Sequence, residues 1–448
     1  MTTREGISMD TGSTAWILAS SMAVSLMIPG LALFYGGMTA ARSTLNMMMM
    51  VLGSVAVTGV IWVLFGYSAV FGTSLGSLGL LGHPFEYLGL GQLMAPTPDA
   101  TLPPILVAAF QALFAAITVA LIAGAVADRM KFGAWMVFAG LWVTLVYLPV
   151  AHWVFAFDAP DGSVVGGWIA NTLGAIDFAG GTAVHINAGI AGLAVVLVLG
   201  RRLGWPHAPR PHNLPATVLG AGILWFGWFG FNGGSALAAG TAASVVFLNT
   251  FAAACTALLA WLVVEKFRDG HATTLGAASG LIAGLVAITP SCGAVSPVGA
   301  LIIGVVAGTV CPFAIGLKRR FGYDDALDVV GVHLVGGILG TLLIGLLATD
   351  AAPNGRSGLF YGGGWELLGV QAVAAGAVIA YSFVVTSIIA LVLHKTIGLR
   401  VSPDHEQQGL DLAVHGETAY DLGAAAAGDE ETAPLGAHHR RVADAPVS

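Results

Sequence analysis

Charge is scarce in this chain. Only 9% of its 448 residues are Asp, Glu, Lys or Arg, where soluble proteins carry about a quarter. The hydrophobic set makes up 56% of the sequence and the mean hydropathy is +0.85. This balance excludes a soluble enzyme or a nucleic-acid binder. Cysteine is sparse as well: Cys255, Cys292 and Cys311 lie far apart, with no even-numbered disulfide framework and no CxxC metal spacing. No cofactor or metal is expected. Arg4 precedes an apolar run at about Thr14 to Gly36, but the run is too long for a signal core and has Glu5 and Asp10 before it, so it reads as a mature helix.

Long apolar runs are what the chain does have. Eleven follow one another, at about 14–36, 44–72, 102–127, 133–155, 178–199, 216–235, 244–264, 273–289, 298–317, 329–349 and 367–393. Each approaches the roughly 20 residues that cross a hydrocarbon core as a helix. The loops sort by charge. Arg42, Arg129, Lys131, Arg201, Arg202, Arg210, Lys266, Arg268, Lys318, Arg319, Arg320, Lys395 and Arg400 all fall on alternate connections, hence on one face, which Arg440 and Arg441 join. The opposite face keeps Arg4 and Arg356, and its long loop from about Thr73 to Thr101 has no Lys or Arg. The basic face is expected to be cytoplasmic, which places the N-terminus outside and the C-terminus inside a lipid bilayer.

Two strings recur five spans apart. Phe34-Tyr35-Gly36-Gly37 ends the first span and Phe231-Asn232-Gly233-Gly234 ends the sixth. The fifth carries His185-Ile186-Asn187-Ala188-Gly189-Ile190-Ala191-Gly192 and the tenth His333-Leu334-Val335-Gly336-Gly337-Ile338-Leu339-Gly340. Because five is odd, the second copy runs upside down, an inverted repeat of the kind that handles substrate near the midplane. The eleventh helix stands outside the repeat as a brace. Many of the 62 glycines are three or four residues apart, as Gly336, Gly337 and Gly340 are, a spacing for close helix approach.

His185 and His333 sit well inside apolar spans that enter from opposite faces, and His152 lies near the end of the fourth. A lone membrane histidine serves as hydrogen-bond glue between helices or marks a functional site. Two abutting imidazoles can pass a proton or hold a small polar molecule, or ligate a haem iron. Asp177 and Asp328 read as caps at the starts of the fifth and tenth helices. Asp177 also makes its mouth attractive to a cation. Phe110 and Phe114, one turn apart, join Phe155, Trp225, Trp228, Phe229 and Phe231 as rings whose faces attract cations.

These strings identify the chain as similar to the ammonium transporter family (Amt/Mep/Rh), of bacterial Amt type, from about residue 12 to 420. Asp177-Phe178-Ala179-Gly180-Gly181-Thr182 through His185-Ile186-Asn187-Ala188-Gly189 resembles the signature around the family's first pore histidine. Gly227-Trp228-Phe229-Gly230-Phe231-Asn232 and Asp324-Asp325 through Asp328, Gly331-Val332-His333 resemble two further motifs. The resemblance implies an all-α polytopic fold of 11 transmembrane helices, in a homotrimer with one hydrophobic pore per subunit. It implies an outer ammonium site at Phe114 and Ser235 supported by Asp177, and a stacked gate of Phe110 and Phe231. It also implies a His185–His333 pair and an inner-pore residue at Thr289. One position departs: where many members carry Trp after Ala-His-x-Val, this chain reads Ala151-His152-Trp153-Val154-Phe155. Phe155 offers a weaker ring there, or Trp168 folds back to replace it.

Three segments follow: a transmembrane domain at 1–395, a tail at 396–420 and a C-terminus at 421–448 rich in Ala, Gly, Asp and Glu that reads as disordered. Beyond His394 lie four of the 17 Lys and Arg and nine of the 24 Asp and Glu, a balance of −5 within the total of −7. From composition this is a solvated acidic tail. Gly398-Leu399-Arg400-Val401, Gly409-Leu410-Asp411 and His415-Gly416-Glu417-Thr418-Ala419-Tyr420 resemble the family's regulatory region, which implies a PII signalling protein as partner. The expected function is ammonium transport at the plasma membrane. An ammonium sensor is the runner-up, although sensors of this family usually carry an extra signalling domain and about 28 residues follow Tyr420. A haem-binding electron-transfer protein is the rival from another class.

Overall fold

The computed structural model describes residues 9–95, 100–207 and 209–420; the 421–448 segment lies outside them. All regular structure among these residues is helical. The long helices are α1 (Thr11–Met38), α2 (Ala41–Phe71), α3 (Pro104–Val126), α4 (Phe132–Phe155), α5 (Gly181–Leu199), α6 (Leu214–Gly234), α7 (Thr241–Asp269), α8 (Thr274–Ile288), α9 (Pro297–Phe321), α10 (Val330–Leu347) and α11 (Glu366–Thr396). Ten are long and apolar enough to cross a membrane; α8, with 15 residues, is the short one. Local chemistry sets the ends. Asp10, Asn213, Thr273 and Ser296 accept the backbone N–H two or three residues on, satisfying donors that a helix start leaves free. Pro104, Pro215 and Pro297 occupy first-turn positions, where a missing N–H costs nothing.

The inverted repeat is visible in the packing. α2 lies against α1, α3 and α4, and α7 lies in the same way against α6, α8 and α9. The opening turn of α5 packs on α10, and the opening turn of α10 packs on α5. The leading helices of the two halves, α1 and α6, lie against each other closely enough that a Cβ at Gly220 would strike the Phe34 backbone. α11 crosses α5, α10 and α4 as a brace. Its Ser382 hydroxyl donates to Asn187 Oδ1 at 2.7 Å.

Two faces result. On the loop face, the segment after α2 pairs with the one after α4, through Ser74 N–H to Val165 O at 2.8 Å and Trp168 N–H to Gly79 O at 3.1 Å. On the basic face, buried Arg202 holds Asp324 through two side-chain bonds of 2.8 and 2.9 Å and reaches Asp128 at 3.2 Å. The tail folds onto this face. Lys131 N–H donates to Leu399 O and Val401 N–H to Arg129 O. A further helix, α12 (Pro403–Gln408), carries Glu406 to Arg400. The Asp411 carboxylate accepts Leu45 N–H at 3.0 Å and Asn46 N–H at 2.7 Å in the first turn of α2. So the acidic tail through Tyr420 is docked, because its carboxylates find guanidinium and helix-start donors.

Candidate functional site: a narrow conduit with paired histidines

The two histidine helices begin alike. α5 opens with a widened turn at Gly181–Ile186 in which His185 N–H reaches Gly180 O at 3.1 Å, five residues back. α10 opens with one at Val330–Leu334, where Val335 N–H reaches Val330 O. The first of these turns needs glycine: Gly180 has φ +111°, and a Cβ would press on Val184. Each turn has an aspartate eight residues before its histidine. Asp177 Oδ1 accepts Gly180 N–H at 2.9 Å and Gly181 N–H at 2.6 Å. Its Oδ2 accepts Thr182 N–H at 2.8 Å and the Thr182 hydroxyl. In α10 the cap is Asp325, whose Oδ2 accepts Val330 N–H at 2.7 Å. This corrects the expectation for Asp328, which instead pairs with Lys318 and holds φ at 64°. Burial, and then the nearby Asp328 charge, push the Asp325 carboxyl up to about 6 against the pull of Lys318.

Built this way, the two starts bring the histidines into contact. His185 Nδ1 and His333 Nδ1 are 3.3 Å apart, with ring centroids at 5.4 Å and planes 20° apart. One shared proton joins two like nitrogens, so the tautomers are coupled. If His333 Nδ1 donates, His185 carries its other proton on Nε2, and the reverse holds equally. His185 Nε2 is buried and has no partner among the described residues. The His185 ring also stacks on Trp228 at 5.5 Å and 19°. Trp228 Nε1 donates to the Thr289 hydroxyl at 2.9 Å, and that hydroxyl donates to Leu285 O at 2.7 Å. Thr289 is not among the residues lining the cavity beside the imidazoles; it stands behind Trp228 and orients it.

The cavity beside the imidazoles is walled by apolar side chains such as Leu31, Ile117, Leu224 and Ile282. Its volume of about 10 Å³ is at the threshold for one water-sized molecule. Two imidazoles in contact leave no space for a porphyrin between them, so this site does not fit a haem. Toward the loop face, Phe231 is stacked on Phe114, with centroids 4.0 Å apart and planes at 20°. The expected stacking partner, Phe110, instead meets Phe114 edge-on at 5.0 Å and 62°. Above this stack opens a vestibule of about 250 Å³, lined by Phe114, Phe155, Asp177 and Ser235 together with Gln111 and Asn354. The Ser235 hydroxyl donates to Phe231 O at 2.8 Å. Phe155 approaches Phe114 edge-on at 6.4 Å, whereas Trp168 packs on Trp153 at 5.9 Å outside the vestibule lining. Gln111 escaped the sequence reading, although its place three residues before Phe114 on α3 puts it on the same stripe.

Fold and site together define a polytopic membrane protein in which stacked phenyl rings separate an open vestibule from an apolar cavity beside a buried histidine pair. Residues 15–420 match the Ammonium Transporter Family, and the chain belongs to it. It is 55% identical over 439 residues to an ammonium transporter of Mycobacterium tuberculosis, covering 93% of this chain and 91% of that one. The crystal structure of Saccharomyces cerevisiae Mep2 superposes with a TM-score of 0.80 at 36% identity, covering 88% of each chain. A structure described as a sensor Amt protein superposes with a TM-score of 0.81 at 29% identity, covering 90% of this chain and 98% of that one.

Proposed function

We propose that the chain moves ammonium across the plasma membrane by separating it into ammonia and a proton inside each subunit. The charge sorting of the loops supports a cytoplasmic basic face and an external vestibule. Ammonium is recruited there by the Phe114 and Phe155 rings and the Ser235 oxygen, in the field of Asp177. Carrying it bare past Phe114 and Phe231 into an apolar cavity costs several kcal/mol. Ammonium therefore gives up its proton, ammonia passes the stacked rings, and the proton follows along His185 and His333. Ammonia and proton recombine beyond the pair, so one positive charge crosses per cycle.

The observation that carries this reading is the 3.3 Å contact of the two imidazoles beside a cavity too small for a hydrated ion. In this reading three copies assemble as a homotrimer, and a PII signalling protein engages the docked tail on the basic face. A sensor shares this fold, so the test is functional. Proteoliposomes on a solid-supported membrane are given an ammonium pulse, with potassium as control. A saturable current for ammonium alone is expected. No current, with internal alkalinisation, would replace electrogenic transport by neutral ammonia conduction; neither signal would leave sensing.

A further inference from the structure

The acceptors in the vestibule are fewer than its residues suggest. A carboxylate has about four lone-pair positions, and Asp177 has five donors on its two oxygens, all from its own helix start, the Ala183 N–H being the longest at 3.4 Å. It acts on a cation through its field and has no lone pair free to accept an N–H. Ser235 commits its hydroxyl proton to Phe231 O, which leaves one oxygen facing the vestibule as acceptor only. Phe155 supplies a phenyl ring, with no N–H or O–H of its own. Ammonium brings four N–H donors, and leaving one unmet on a partly desolvated cation is costly. Gln111 and Asn354 line the same vestibule, and neither carboxamide makes a hydrogen bond to the protein among the described residues; Gln111 is the one that stands one turn before Phe114, on the stripe of the recruiting ring.

We propose that Gln111 is a specificity-determining residue, whose Oε1 accepts an N–H of the recruited ammonium in addition to Ser235 and so favours ammonium over methylated amines. The inference rests on the transport reading above. Methylammonium has three N–H donors and places a methyl group where the fourth would be, so it gains less from a second neutral acceptor.

The test compares the parent with Gln111→Leu and Gln111→Glu in proteoliposomes, measuring half-saturating concentrations for ammonium and for methylammonium. Loss of a hydrogen bond to a charged group should raise the ammonium value about tenfold or more. The methylammonium value should rise less, so the preference narrows. Gln111→Glu keeps the acceptor oxygen and should hold or lower the ammonium value, and it decides the matter if the Leu variant fails to fold. An unchanged ratio in folded Gln111→Leu, or a Glu variant that behaves as Leu is expected to, would overturn the proposal. A parent without current would instead overturn the transport reading itself.

Discussion

Asp177 is the residue whose removal has the most calculable cost. Its carboxylate is the sole side-chain partner of four successive backbone N–H groups, those of Gly180, Gly181, Thr182 and, at 3.4 Å, Ala183, and it also takes the Thr182 hydroxyl. Hydrogen bonds to a charged group contribute about 1.5–3 kcal/mol each, without being additive. An N-cap truncated to Ala loses about 0.5–2 kcal/mol. Asp177→Ala removes all four acceptor positions at the turn that holds His185, so a loss on the order of 4 kcal/mol is expected. Asp177→Asn keeps one carbonyl oxygen and should lose about half as much. The assay is reversible chemical denaturation of the detergent-solubilised protein, followed by the fluorescence of its 11 tryptophans, among them Trp228 on the His185 ring. Ala equal in stability to the parent, or Asn less stable than Ala, would refute the argument that this carboxylate builds the turn.

Two further outcomes follow from the same geometry. Phe231→Ala removes one ring of the stack and enlarges the cavity of about 10 Å³ that Phe231 helps to wall. It should let methylammonium through faster relative to ammonium, at a cost of about 3–5 kcal/mol in stability; an unaltered flux ratio would show that the stack is no constriction. On the basic face, two neighbouring carboxyls titrate in opposite senses. Burial pushes Asp324 up, but the Arg202 bonds and the Arg129 and Arg202 charges outweigh it and leave the group below its usual value. Its stabilisation is present above about pH 4 and is lost as pH falls through the lowered value. Asp325, raised to about 6, does the reverse: it favours the folded state below about pH 4, and that contribution fades as pH rises through 6. Stability against pH for Asp324→Asn should therefore lack the acid loss, and for Asp325→Asn the decline near pH 6. Superimposable profiles would contradict both assignments.

Most of the bundle is legible in the sequence because each helix must bury or present to lipid an uninterrupted apolar surface, and hydropathy records that residue by residue. The paired histidines are legible because two like groups occupy equivalent positions in a repeat. Other features fail for identifiable reasons. Phe110 and Phe114 lie one turn apart on one stripe of α3, so sequence alone does not say which of them faces Phe231. Asp324, Asp325 and Asp328 crowd the start of α10, and proximity to the helix favours Asp328. The interval of eight residues from aspartate to histidine in both halves was the signal that selects Asp325. Asp411 reads as one more acid in an acidic tail because the helix start it caps lies more than 350 residues away. The bond from Trp228 to the Thr289 hydroxyl joins residues 61 apart and has no signal in the sequence.

The central claim is that ammonium crosses as ammonia plus a proton carried by the imidazole pair. It is tested most directly by the ammonium-evoked current of His185→Ala combined with His333→Ala in proteoliposomes, measured beside internal alkalinisation in the same vesicles. The account predicts a folded protein whose current is abolished, because the only titratable groups at the contact are gone and the cavity that remains is apolar. A current equal to that of the parent would contradict it.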